Sequence, residues 1–302
     1  MSAPQLPDKA VLGPGFEIGN DPSLSLFFDD DRGNVIDVQR VANENDWNLK
    51  SVLCLPTQMT LYGVDGEPRI FDCAQQQDKD DYYTLKKNDT TIAKDINVPH
   101  GIGTGITREI IQKIIAKETE PEPKRTGLYF FDFDMLLSQF NGLDFPIIDV
   151  LPTQEWFEQY AKYLFSDTID EEPEDGRLTL LKRMFQVIGP ERIYIITANP
   201  YAGADFTLGT GRVVPWFVDK FIGLLQVLLP SFIPTHLVYA NTKVQSKSTK
   251  IMQILESRPK GGARKTRRTR SNAKRTKSKT RRTRSKTSRR SRCSRKKSRR
   301  LS

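Results

Sequence analysis

The chain has 302 residues, with 47 Lys and Arg against 37 Asp and Glu and a formal net charge of +10. That balance hides a split: from Arg258 to Ser302 there are 23 cations and no acid, so 24 basic against 37 acidic residues leave the rest of the chain at −13. Three cysteines (Cys54, Cys73, Cys293) make no CxxC pair and no disulfide framework, and two distant histidines (His100, His236) argue against zinc sites and His-based triads.

These features fit an intracellular, reducing compartment. Met1 to Asn20 lack a basic start followed by an apolar core, so no signal peptide is expected. The longest apolar run, Val213 to Phe232, is interrupted by Pro215, Asp219, Lys220, Gln226 and Pro230. It reads as a core helix and not as a membrane span.

In chain order, Met1 to Asp21 reads as irregular, with Pro and Gly spread through it. Leu24 to Phe28 reads as a buried strand. Val35, Val38 and Val41 recur at helical spacing over Asn34 to Ala42. Ser51 to Leu55 reads as a second buried strand, with Cys54 as a buried thiol. Pro56 to Val98 has no clear form, although Val64-Asp65-Gly66 has the chemistry of a hairpin turn. Thr107 to Lys117 carries four Ile residues at helical spacing behind Thr107 as a cap. Glu120 to Lys124 alternates charge with Pro and reads as a linker.

The second half is more regular. Leu128 to Phe131 reads as a strand. Thr153 to Phe165 reads as a helix with Trp156, Tyr160, Tyr163 and Leu164 on one side. Asp167 to Asp175 is an acidic loop, and Leu178 to Ile188 a second amphipathic helix. Arg192 to Thr197 is the clearest strand; a helix over Val214 to Leu229, a strand over His236 to Tyr239 and a last helix over Ser248 to Leu255 follow. Strands alternating with helices predict an α/β fold: a Rossmann-like parallel sheet with helices on both faces. The α/β domain is expected over 1–256, with its core in 24–55 and 127–256 and 56–126 as connection or insert. The tail, 257–302, has almost nothing apolar to bury and is expected to be disordered.

Chemistry is concentrated where strands end. Asp132-Phe133-Asp134 follows Leu128–Phe131, and Asp29-Asp30-Asp31 follows Leu26–Phe28. Open α/β sheets bind their ligands outside the carboxyl ends of strands. Carboxylates gathered there can hold a hard cation, and one can attack phosphorus. Thr197 ends another strand, and Lys247 stands at the start of the last helix. Phosphoryl transfer needs such a set: a nucleophile, a proton donor for the leaving oxygen, and positive charge facing the phosphate.

The set resembles the four motifs of the haloacid dehalogenase (HAD) superfamily: a strand with Asp-x-Asp, a strand ending in Thr or Ser, a helix-start Lys, and a strand ending in Asp-Asp. In most of that family the Asp-Asp strand comes last; here it comes first, which reads as a circular permutation. The resemblance implies a Mg²⁺-dependent phosphatase acting on a phosphorylated substrate. It implies Asp132 as the nucleophile, Asp134 as general acid and base, Thr197 as a donor to a phosphate oxygen and Lys247 as the neutralising cation. Asp29 and Asp30 would hold Mg²⁺ with Asp132 and the backbone carbonyl of Asp134. The chain departs from the pattern at Leu136, where the family usually has Thr or Val, and in the Met135-Leu136-Leu137-Ser138 stretch. Lys243 and Lys250 compete with Lys247, and Asp30 with Asp31 is an alternative metal pair.

Only two helices separate Asp134 from Thr197, about what the core crossover needs. A large lid is therefore not expected there, although 56–98 could supply one; an open site favours a large substrate. The cationic tail is expected to bind nucleic acid through phosphate contacts with little base selectivity, and without aromatic residues it offers no stacking. Such tails resemble those on proteins of large DNA viruses, which would place the chain in a nucleus, virus factory or virion. The competing reading is an inactive HAD fold serving as a nucleic-acid-binding or virion structural protein.

Overall fold

The computed structural model describes residues 11–12, 16–54, 58–62, 68–72, 105–121, 123–139, 151–166, 174, 176–203, 216–240 and 245–258. The chain divides into a first unit, Met1–Pro259, and a second, Lys260–Ser302; all that follows concerns the first, so the expectation of a disordered tail lies outside the described residues, as do the acidic loop except Glu174 and the turn at Val64–Gly66.

Among the described residues there are eight strands: β1 (Val11–Leu12), β2 (Ser25–Asp29), β3 (Leu49–Leu53), β4 (Gln58–Tyr62), β5 (Pro68–Asp72), β6 (Tyr129–Phe131), β7 (Ile193–Thr197) and β8 (Leu237–Tyr239). Six form one parallel sheet in the order β1-β3-β2-β6-β7-β8, with β1 a two-residue edge. β4 and β5 pair antiparallel in a separate sheet. The helices are α1 (Arg32–Glu44), α2 (Arg108–Glu118), α3 (Gln154–Phe165), α4 (Arg177–Ile188), α5 (Trp216–Leu228) and α6 (Lys247–Ser257).

The central strands are apolar on both sides because both sides are covered, as a parallel sheet demands. Leu26, Phe28, Tyr129, Phe131, Ile193 and Ile195 face one way and pack under α2, α3, α4 and α5. Phe27, Leu49, Leu53, Phe130 and Ile196 face the other way, under α1 and α6. β2 and β6 are buried along their length and β7 except at Tyr194, and each fully buried Phe or Leu contributes roughly 1.5–3 kcal/mol. The α/β fold with a Rossmann-like parallel sheet is therefore the observed one.

The helix starts follow local chemistry. Thr107, Thr153 and Ser246 accept from the backbone N–H groups of Ile110, Trp156 and Thr249, respectively. Two expectations need correction. The irregular N-terminal stretch contributes β1, which pairs with Val52 and Leu53; two residues have no period to read. On α3 the buried face is Phe157, Ala161, Leu164 and Phe165. Trp156, Tyr160 and Tyr163 instead stack on one another as a half-buried row; amphipathic rings suit a margin better than a centre.

Among the described residues no helix is long and apolar enough to cross a membrane. α5, from the longest apolar run, buries Phe217, Phe221, Leu224, Leu225 and Leu228 in the core.

Candidate active site

β2, β6 and β7 are neighbours in register: Phe28 pairs with Phe131, and Phe131 with Ile195. The residues that follow at their carboxyl ends, Asp29, Asp132 and Thr197, therefore emerge on one edge of the sheet. Lys247 opens α6, above the same edge, and its amine donates to Asp29 Oδ2 at 2.7 Å and approaches Asp132 Oδ2 at 2.9 Å. All three side chains are buried, Asp29 completely. Asp29 and Lys247 are 218 positions apart in the chain.

Asp29, Asp30 and Asp132 each offer a carboxylate oxygen to one cation-sized space, with these oxygens within 4.8 Å of one another. Ionised together, three carboxylates beside one ammonium leave two negative charges in a buried pocket, which a divalent cation would offset. A second observation points the same way: Asp132 Oδ1 is buried and has no hydrogen-bond partner, and such an atom is costly unless something satisfies it. The donor set is all oxygen, which suits Mg²⁺.

The electrostatics follow from burial. Desolvation first, then the charge of Asp29, hold the Asp132 carboxyl well above its ordinary range, with Lys247 opposing them. For Lys247, burial alone would lower the amine, but Asp29 and Asp132 together outweigh it and raise the amine above its ordinary value.

Asp134 lies near enough for its charge to add to the pressure on Asp132, but it is held by other partners. Its Oδ1 accepts from Asn199 Nδ2 at 3.0 Å, and its Oδ2 from Thr197 Oγ1 at a long 3.4 Å. The Asp134 side chain is thus not among the clustered acids. Asp31 is not either: it caps α1, accepting from Asn34 N at 2.9 Å, and the acids that group around one space are Asp29, Asp30 and Asp132. Lys250 is half-exposed one turn along α6, and Lys243 lies outside the described residues. Leu136, the departure from the expected pattern, is fully buried and packs in the core.

Two asparagines at the site were not singled out from the sequence. Asn34 donates to both oxygens of Asp29, at 3.3 and 3.2 Å, and Asn199 holds Asp134. Each has a readable signal. Asn34 stands three residues after the cap Asp31, where a helix's first turn folds back over the strand end, and Asn199 precedes Pro200 two residues after a strand-end Thr.

The turn after β6 is held from outside. Met135 adopts a left-handed backbone with φ 60°. Its carbonyl accepts from Gly105 N at 3.0 Å, and that of Leu136 from Ile106 N at 3.4 Å. The buried Arg177 guanidinium donates to the carbonyls of Leu136, Phe165 and Ile106. One cation thereby ties the turn that carries Asp134 to α3 and to the segment before α2.

No family model, no curated protein and no solved structure matches this chain.

Proposed function

We propose that the protein is a Mg²⁺-dependent phosphatase that hydrolyses phosphomonoesters through an aspartyl-phosphate. The observation that carries this reading is the convergence of Asp29, Asp30 and Asp132 with the buried amine of Lys247 at one strand edge. The strand order supports the resemblance to the HAD superfamily: the Asp-Asp strand lies beside the Asp-x-Asp strand, which lies beside the Thr-ended strand, as a permuted chain with the same sheet would require.

Asp29, Asp30 and Asp132 would hold the Mg²⁺, which supplies charge neutralisation that lets a carboxylate approach a phosphate. A carboxylate oxygen of Asp132 attacks phosphorus and the bond to the leaving oxygen breaks. The proton that the leaving oxygen needs comes from Asp134. Asp134 then takes a proton from water, whose oxygen attacks the same phosphorus and restores the Asp132 carboxylate. Thr197 donates its hydroxyl to a phosphate oxygen. Lys247 holds Asp132 in place and offsets the charge that gathers on the phosphoryl group.

The tail would bring this chemistry to nucleic acid, since 23 cations without a counter-charge bind polyanions by releasing condensed counterions.

Asp132→Asn should abolish phosphate release from an aryl phosphate while leaving the unfolding transition cooperative. A variant as active as the parent removes Asp132 as nucleophile. A folded parent that releases no phosphate with Mg²⁺ favours the inactive, binding-only fold instead. Removing residues 259–302 should leave turnover of the aryl phosphate unchanged and abolish the salt-sensitive binding of an oligonucleotide, read by fluorescence anisotropy; retained binding would locate the polyanion contact elsewhere.

A further inference from the structure

Asn199 is 4 % exposed, and each of its polar groups is committed. Its backbone N–H donates to Thr197 Oγ1 at 3.0 Å. Its side-chain Oδ1 accepts from Tyr201 N at 3.0 Å, capping the short turn Pro200–Ala202. That contact fixes the orientation of the amide, because only oxygen can accept there. The Nδ2 group is thereby aimed at Asp134 Oδ1, 3.0 Å away. Pro200 adds rigidity, since a residue before proline is confined to extended backbone, and Asn199 has φ −62° and ψ 121°.

Thr197 and Asn199 are unequal as donors to Asp134. Thr197 has a single hydroxyl proton. When that proton turns to a phosphate oxygen, the 3.4 Å contact with Asp134 Oδ2 is given up. The Asn199 amide, oriented by the Tyr201 N–H, keeps Oδ1.

We propose that Asn199 is a positioning residue that anchors Asp134 through Oδ1 and so makes Oδ2 the oxygen that delivers a proton to the leaving group and later takes one from water. The assignment rests on the phosphatase reading above and adds to it how the acid is aimed. Asn199 touches neither phosphate nor nucleophile; it acts through Asp134.

A series of phosphomonoesters from para-nitrophenyl phosphate to alkyl phosphates, assayed with Mg²⁺ as kcat/KM, separates this role from a structural one. A good leaving group departs without a proton; a poor one does not. Two variants are compared with the parent. Asn199→Ala removes the anchor and the cap together. Asn199→Asp keeps an acceptor for Tyr201 N–H but replaces the donor with an oxygen that repels Asp134, so it carries the test if the alanine variant does not fold.

Both variants are expected to lose roughly a hundredfold in kcat/KM on alkyl phosphates, the scale of general acid catalysis, and less than about tenfold on para-nitrophenyl phosphate. Combined with Asp134→Asn, neither should lower activity on the alkyl esters further. An equal loss across the series, or no loss in Asn199→Asp, overturns the assignment while the phosphatase reading stands. A folded parent inactive on the whole series overturns the phosphatase reading and this assignment with it.

Discussion

Lys247 shows how much one side chain can decide. It is a cation at the start of a helix, where the macrodipole disfavours positive charge, and it is buried besides. Neither term favours it there. The carboxylates of Asp29 and Asp132 at 2.7 and 2.9 Å do. Removing one member of such a buried set leaves the others uncompensated, which typically costs about 3–5 kcal/mol. Lys247→Met should therefore lower the urea midpoint substantially as well as abolish turnover. Lys247→Arg should not restore activity, because a planar fork cannot replace a compact ammonium between two carboxylates. An unchanged midpoint in Lys247→Met would mean that the amine leaves the pocket in solution.

At the scale of elements, the carboxyl end of β6 is a seam between three segments. The turn that follows it is pinned by Gly105 and Ile106 from the segment before α2, and by Arg177 from the start of α4. Gly105 has no space for a side chain: a Cβ there would lie 2.5 Å from the Cys54 carbonyl oxygen and 2.9 Å from that of Met135. Backbone atoms on both sides cannot yield as a flexible side chain would. Gly105→Ala should push β3 and the Asp134 turn apart, costing about 1–3 kcal/mol of stability and more activity than that loss explains. Thermal melts with and without Mg²⁺, beside turnover, give both quantities; a variant with parental turnover would show that the turn tolerates the shift.

Across the whole first unit, the two ends of the sheet have different characters. Acids, Thr197 and Lys247 gather at the carboxyl end. At the amino end Glu118 is buried against Arg125 and Arg192 and accepts from the Tyr129 hydroxyl, a clamp with no access to the acids. α6 begins at the first end and finishes at the second, where Arg258 donates to the Thr126 carbonyl at 3.1 Å. Thr126 N in turn donates to the Pro22 carbonyl at 2.8 Å, three residues before β2. The end of the last helix thus lies beside the start of the Asp-Asp strand. A short Gly/Ser linker from Arg258 to the residues before Pro22, with new ends placed between 73 and 104, should give a reordered chain that unfolds cooperatively and keeps the Mg²⁺-dependent turnover of the parent. Failure of a soluble, well-linked chain to fold would mean that the 73–104 connection is needed for assembly.

The apolar runs at 26–28, 128–131 and 193–197, the acids behind the first two of them, and the cap at Thr107 were legible in the sequence. Each is set by neighbours a few residues away, through strand burial, helical period or a single capping bond. The α/β class followed from their alternation. That Asp29, Asp30, Asp132 and Lys247 share a space was an expectation of the family resemblance and of no local pattern; the tertiary structure brings them together and decides the finer partners. Asp31 left the cluster because its carboxylate caps α1. Lys247 and not Lys250 met the acids because Lys250, one turn further on, is displaced about 4.5 Å along the helix axis from the buried start of α6. Asn199 gained its partner only once β6 and β7 lay in register, whereas Asn34 meets Asp29 within the local turn from β2 into α1. The pairings of Lys247 with Asp29 and of Asn199 with Asp134 depend on strand order and register, which no local pattern encodes, because they join positions 218 and 65 residues apart.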